Sequence, residues 1–233
     1  MQVLRTGGEF AAAQMLKQRL GMILGSAGAL AIGIVVALLW HPAGMLLALV
    51  LAVGVVRPRY RRLIRLRKGA TGEQSVADIL ARLPDEYVLL NDLVVPGYRG
   101  NIDHVLIGPC GVVVMETKRW AGTIACASDR WSVNGYPRRN VTWQVVGAAM
   151  AVKGYLAHGG AGASGWVESV VVFTHPLCRL VLDRPTPIVV RLSELMSYLA
   201  ARSRPPRLTG ASVAVLSRIL LDGASADRGR KTA

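Results

Sequence analysis

From Leu20 to Val56 the chain carries no Asp, Glu, Lys or Arg, and no other feature narrows its fold so far. Leu20 to Trp40, rich in Gly and Ala, spans roughly 30 Å as a helix at ~1.5 Å per residue, one bilayer core. His41-Pro42-Ala43-Gly44 is a turn signal. Met45 to Val56 is a second apolar run, reaching only about 18 Å unless Ala43 and Gly44 join it or the bilayer thins. Two readings compete: a transmembrane helical hairpin over 20–56, or one span plus an interfacial or broken segment. Lys17 and Arg19 precede the first run and the basic stretch 57–68 follows the second. The excess of positive charge on cytoplasmic flanks favours the hairpin, with the cell membrane as location and the domain that follows in the cytoplasm. A signal peptide fits less well, because its apolar core is shorter and no clean small-residue cleavage site ends this one. The segment before the run, residues 1–19, is polar and mixed, with an amphipathic helix as one reading.

Composition repeats the same division. The 233 residues are 52% hydrophobic with a formal net charge of +14, and the mean hydropathy is +0.37. Residues 1–68 hold ten Lys and Arg against Glu9 alone, so +9 of the +14 lies there and residues 69–233 carry +5. The basic balance therefore describes a membrane flank rather than a nucleic-acid groove. Residues 57–68, RPRYRRLIRLRK, read as a juxtamembrane stop that attracts anionic lipid by about 1 kcal/mol per basic residue. A nucleic-acid-gripping arm is the other reading, and position next to the apolar run favours lipid. Cys110, Cys126 and Cys178 are odd in number and lack Cys-x-x-Cys spacing, which argues against disulfides and zinc and for a reducing compartment.

Beyond the basic stretch the pattern changes to that of a folded α/β domain over 69–222. Thr71 and Gln74 have capping-box spacing, and Val76, Ile79, Leu80 and Leu83 recur at helical spacing, so a linker and then a helix over 72–83 are expected. Short strands follow at Tyr87–Leu90 and Leu93–Val95, then at Asn101–Ile107, Val112–Lys118, Thr123–Cys126 and Trp131–Val133. Val141–Ala157 is the longest helix candidate outside the apolar region. Val167–Thr174 and Pro187–Arg191 are continuous apolar runs suited to buried strands. Leu192–Ala201 and Ala211–Leu221 read as helices, and residues 223–233 as a disordered tail. This order makes a mixed sheet with a central antiparallel hairpin flanked by helices.

The chemistry concentrates in that hairpin, NIDHVLIGPCGVVVMETKRWAGTI over 101–124. Two apolar runs flank a tight turn, and each carries an acid where a strand would be plainly apolar: Asp103 in the first, Glu116 in the second, with Lys118 two residues on. Alternation puts Glu116 and Lys118 on one face, and a hairpin brings Asp103 across to them. Two hard carboxylate ligands with a backbone carbonyl near Thr117 suit Mg²⁺. The lysine can orient a water or stabilise charge on a transferring phosphoryl group. Register decides whether this site exists. If Pro109 and Cys110 are the central turn residues, paired positions sum to 219 and Asp103 lies opposite Glu116, with Cβ atoms roughly 4.5–5.5 Å apart. Proline cannot take φ > 0, so the primed turns are excluded. A type I turn with a Gly111 bulge would shift the sum to 220 and turn Asp103 away. We expect a shared face, through an unprimed two-residue turn or a compensating bulge. His104 then faces the opposite side as a structural residue, and Trp120 and Trp131 read as packing aromatics.

The ordered set Gly72-Glu73, Asn91-Asp92, Ile102-Asp103-His104, Gly111, Glu116-Thr117-Lys118, Trp120, Gly122, Trp131 and Asn140…Gln144 resembles the nuclease-related domain (NERD), a branch of the PD-(D/E)XK, restriction-endonuclease-like superfamily. The resemblance covers about Gly69 to Ala157 and departs from the family at Val141, where proline is usual. It implies a restriction-endonuclease-like sheet and metal-dependent hydrolysis of DNA or RNA phosphodiesters. Asp103 and Glu116 would hold Mg (or Mn), Lys118 would position the attacking water, and Glu73 and Gln144 would assist. The residues alone leave Glu73 open as an acid favoured by the first turn of a helix, and Gln144 open as a solvated or capping amide. The competing function is a catalytically silent, membrane-anchored binding or scaffold module, motivated by the weak basicity of 69–233. Transport is disfavoured, because the apolar segments carry no charge within the membrane.

Overall fold

The computed structural model describes residues 1–5, 9–39, 43–160 and 167–231. They form two compact units, one ending at Thr71 and the other made of the N-terminal strand together with the chain from Gly72 on.

In the first unit, helix α1 spans Glu9–Leu39, and helix α2, Ala43–Leu80, begins. Within α1, Leu16–Val35 is the one stretch among the described residues long and apolar enough to cross a membrane. Its Leu20, Ile23, Leu24, Ile32, Ile34 and Val35 are exposed. The expected run Met45–Val56 is helical as well, inside α2, but is not among the described stretches long and apolar enough to cross a membrane, so the second span of the expected hairpin is not shown. Arg57 closes that run before it reaches bilayer length. Of the turn expected at 41–44, His41 and Pro42 lie outside the described residues, and Ala43 and Gly44 open α2. Helix α2 then passes through Pro58, which cannot donate to the Gly54 carbonyl one turn back.

The linker expected at Gly69 is absent. Thr71 lies inside α2, where its hydroxyl donates to the Arg67 carbonyl (2.8 Å) and the Gln74 amide donates to Asp78 Oδ1 (2.7 Å). A helix already nucleated upstream extends through weak positions at small cost, and so the capping-box pattern starts nothing here.

The second unit contains, in chain order, β1 (Gln2–Arg5), the last turns of α2, β2 (Val88–Leu93), β3 (Ile102–Gly108), β4 (Gly111–Lys118), β5 (Gly122–Ala127), β6 (Arg130–Val133), β7 (Tyr136–Pro137), α3 (Val141–His158), β8 (Val167–Phe173), β9 (Cys178–Asp183), β10 (Ile188–Arg191), α4 (Leu195–Arg202) and α5 (Gly210–Lys231). Six strands form a mixed sheet in the order β1-β2-β3-β4-β8-β10, and a second sheet runs β7-β6-β5-β9. The β3–β4 hairpin is central and antiparallel, and β8 lies parallel beside β4, as the sequence leads one to expect.

Both faces of the large sheet are covered, which is why its strands read as unbroken apolar runs. Val105, Ile107, Val112, Val114 and Val171 pack with α3 (Val141, Val145, Val152) and α5 (Leu216, Leu220). The alternate residues Leu106, Val113, Met115, Val170 and Val172 pack with α2 (Val76, Leu80) and α4 (Leu195, Leu199).

Two expectations are modified. The N-terminal segment is helical from Glu9 on, as one reading had it, but starts with a strand in which Gln2 and Val3 pair in parallel with Val88 and Leu89. The tail expected to be disordered from 223 continues α5 to Lys231, where Ala224, Ala226 and Arg228 are strong helix formers.

Candidate active site

The hairpin turn decides which side chains can meet. Pairs run from His104 with Met115 to Gly108 with Gly111, all summing to 219. Neither Pro109 nor Cys110 has positive φ, whereas Gly111 does (95°). The turn is thus unprimed and two residues long. The left-handed residue comes after it without adding a position, and the slip of register that a bulge would bring does not occur.

That register continues the parity of Val105, Ile107, Val112 and Val114, which share one core, and so puts Asp103, Glu116 and Lys118 on the α3 face of the sheet. Asp103 Oδ2 accepts from the Thr117 N–H at 2.8 Å. Lys118 Nζ donates to Glu116 Oε1 and, at 3.1 Å, to Gln144 Oε1 on the first turn of α3. Asn140 caps that turn by accepting from the Trp143 N–H at 3.2 Å, which sets where Gln144 stands. Glu73 arrives from α2. It follows Gly72, where a Cβ would come within 2.9 Å of Thr174 Oγ1 and 3.2 Å of Thr117 Cγ2, so the absence of a side chain lets the helix approach the end of the sheet.

Charge in this cluster is unbalanced. Asp103 has its pKa raised well above the usual carboxyl range by burial, then by Glu116 and Glu73, against the Thr117 N–H and Lys118. Glu116, 5% exposed, is raised by burial, with the Lys118 ammonium opposing. Glu73 is raised by burial, then by Asp92 and Glu116. Three carboxylates thus act on one another with one ammonium among them.

Two participants were not assigned a role from sequence. Asp92, at φ 55°, sits where its charge reaches Glu73, and its Oδ1 accepts from Asn101 Nδ2 at 2.5 Å. Tyr98 donates its hydroxyl to the Gln144 carbonyl at 3.1 Å, and its pKa is raised by burial, then by Glu116 and Asp103. His104, as expected, faces away. It is 2% exposed, its Nδ1 lies 2.7 Å from Asn91 Oδ1, and burial lowers its pKa to about 3, so it stays neutral. Trp120 and Trp131 pack on Phe173 with ring centroids at 5.8 and 5.9 Å.

Among the described residues no three His, Cys, Asp or Glu side chains are grouped so as to hold a metal ion by themselves. The cluster still fits one kind of ion. Mg²⁺ typically binds through one or two carboxylates and keeps several waters, and a dication supplies the positive charge that the three acids lack.

Residues 68–174 match the family model of the nuclease-related domain. No curated protein and no solved structure gives a significant match to the chain.

Proposed function

We propose, from a nuclease-related domain over residues 68–174, that this chain is a membrane-anchored, metal-dependent phosphodiesterase that hydrolyses DNA or RNA on the cytoplasmic side. The observation that carries this reading is the contact of Lys118 Nζ with both Glu116 and Gln144 on the sheet face that also holds Asp103. Asp103 and Glu116 would hold Mg²⁺ or Mn²⁺, which when bound polarises the phosphate and lowers the pKa of a coordinated water. Lys118 orients the water that attacks phosphorus and offsets charge gathering on the phosphoryl oxygens as the P–O ester bond breaks. Gln144 and Glu116 fix the ammonium, and Tyr98 fixes the Gln144 backbone. Glu73 adds a third acid at the mouth of the cluster. The exposed apolar surface of Leu16–Val35 supports an anchor in the cell membrane. A second crossing by 45–56, and attraction of 57–68 to anionic lipid, belong to this proposal.

A silent binding module is the second reading. It is favoured by Lys118 being tied to Glu116 and by the lack of a three-ligand metal group among the described residues. The full chain in detergent, given plasmid and single-stranded substrates with Mg²⁺, Mn²⁺ or EDTA, separates the two. Metal-dependent cleavage that disappears in both Asp103→Ala and Lys118→Ala supports the enzyme. Cleavage that survives both, or none in the wild type, rejects it.

A further inference from the structure

Tyr136 and Trp143 are 74% and 79% exposed, and the segment between them, YPRRNVTW, holds Arg138 and Arg139. Neither ring is needed for the core, where Trp131 is buried and Trp120 partly buried, both tilted against Phe173. Leaving a tryptophan in water forgoes one of the larger burial gains available to any side chain. The backbone holds the segment firmly: β7 pairs with β6, the Arg138 N–H donates to the Trp131 carbonyl at 2.8 Å, and Asn140 caps α3 through the Trp143 N–H. From Arg130 to Val167 there is no acidic residue. Among the described residues Arg99, Arg130, Arg138 and Arg139 make no ion pair, and Arg139 is near enough to Tyr98 to act on its hydroxyl. The segment leads into Gln144, which holds Lys118. Exposed rings interleaved with unpaired arginines are what a single nucleic-acid strand binds: bases stack on the rings and phosphates track the guanidinium groups.

We propose that Tyr136–Trp143 is a stacking platform for one unpaired nucleic-acid strand, with Trp143 holding a base next to the phosphate presented to Lys118. This rests on the phosphodiesterase reading and adds that the substrate enters single-stranded. A bilayer surface also suits exposed aromatics with arginines. Adjacency to the buried carboxylates favours the strand, since a headgroup layer needs no such neighbour.

The test uses the full chain in detergent with EDTA, so that nothing is cut, and fluorescently labelled oligothymidylate, oligouridylate and a duplex of equal length. Fluorescence anisotropy should show tighter binding of the single strands than of the duplex. Trp143→Ala should weaken single-strand binding roughly tenfold, Trp143→Phe should restore most of it, and the duplex should be indifferent to both. The DNA and RNA probes should suffer alike, because base faces and phosphates are common to them. Unchanged affinity in Trp143→Ala, or a preference for duplex, overturns the platform and leaves the phosphodiesterase standing. Single-strand binding that needs Trp143, in a wild type that never cleaves with Mg²⁺ or Mn²⁺, rejects the enzyme and keeps the platform. No nucleic-acid binding at all overturns the platform.

Discussion

Asp103 and Glu116 share the α3 face of the sheet, Glu73 on α2 is near enough to interact with both, and among the described residues Lys118 is the cation that acts on all three, an arrangement that works against the folded state. Asn at 103 can still accept the Thr117 N–H while removing one negative charge. Asp103→Asn should therefore raise the thermal midpoint of the full chain in detergent, by roughly 2–4 °C if about 1 kcal/mol of repulsion is relieved, while eliminating cleavage. Added Mg²⁺ should raise the midpoint of the wild type and leave that of Asp103→Asn nearly unmoved, a readout independent of activity. Glu168 is the opposite case. Burial pushes its pKa up, but bonds from Arg202 and the Tyr198 hydroxyl outweigh that and hold it low; the Tyr198 bond is 2.6 Å and the Arg202 Nε bond 2.8 Å. A carboxyl with a depressed pKa stabilises the fold above its unfolded value, and that share is lost as pH falls through the folded value. Urea midpoints should thus drop between neutral pH and about pH 3 less steeply in Glu168→Gln than in the wild type, against a reference carboxyl pKa of about 4.3. Arg202→Ala should cost about 1.5–2 kcal/mol at neutral pH, at the lower end for a charged hydrogen bond because the arginine side chain is 32% exposed. At this scale Asp103, Glu116 and Lys118 were legible because acids and a lysine interrupt apolar strands. Asp92 and Tyr98 were not, since one is placed by a left-handed backbone and the other by a loop, and neither leaves a periodic trace.

Among the elements, β4 opens on a residue whose backbone favours glycine. Gly111 takes φ 95° directly after an unprimed turn, and Gly111→Ala should cost about 1–3 kcal/mol in strain, measurable as a lower urea midpoint. The ladder pairs beyond the turn hold the register, so residual cleavage at low temperature should persist; its complete loss in a protein that remains folded would mean that the turn alone sets the site. Strands β8 and β10 and helix α3 could be read from sequence, because burial on both faces or at helical spacing leaves long apolar patterns. Strands β1, β7 and β9 could not. Tyr136–Pro137 is too short for any period, Cys178–Asp183 is largely exposed at the edge of the small sheet, and Gln2–Arg5 carries no alternation that distinguishes it from the start of a helix. The continuity of α2 was hidden for another reason: Pro58, Gly69 and Gly72 are local breakers, and a helix long enough on both sides overrides them.

For the molecule as a whole, a reporter active only outside the cytoplasm, fused after Lys68, should stay silent; activity there would place the α/β domain that follows on the far side of the membrane. The strand β1 bears on this question from an unrelated direction. Gln2 and Val3 are hydrogen-bonded in register to Val88 and Leu89, and two strands of one sheet occupy one aqueous compartment. Whatever the chain between them does, it must return to the side it left. A single passage of the bilayer by Leu16–Val35 would carry β1 and β2 to different compartments and forbid the pairing. Passages between residues 5 and 88 therefore come in pairs or not at all. Breaking the strand, as with Val3→Pro, should loosen the edge of the large sheet although residue 3 is remote in sequence from everything it supports. Synthesis, too, is constrained: β1 must wait, without β2, until all of α1 and α2 has followed it.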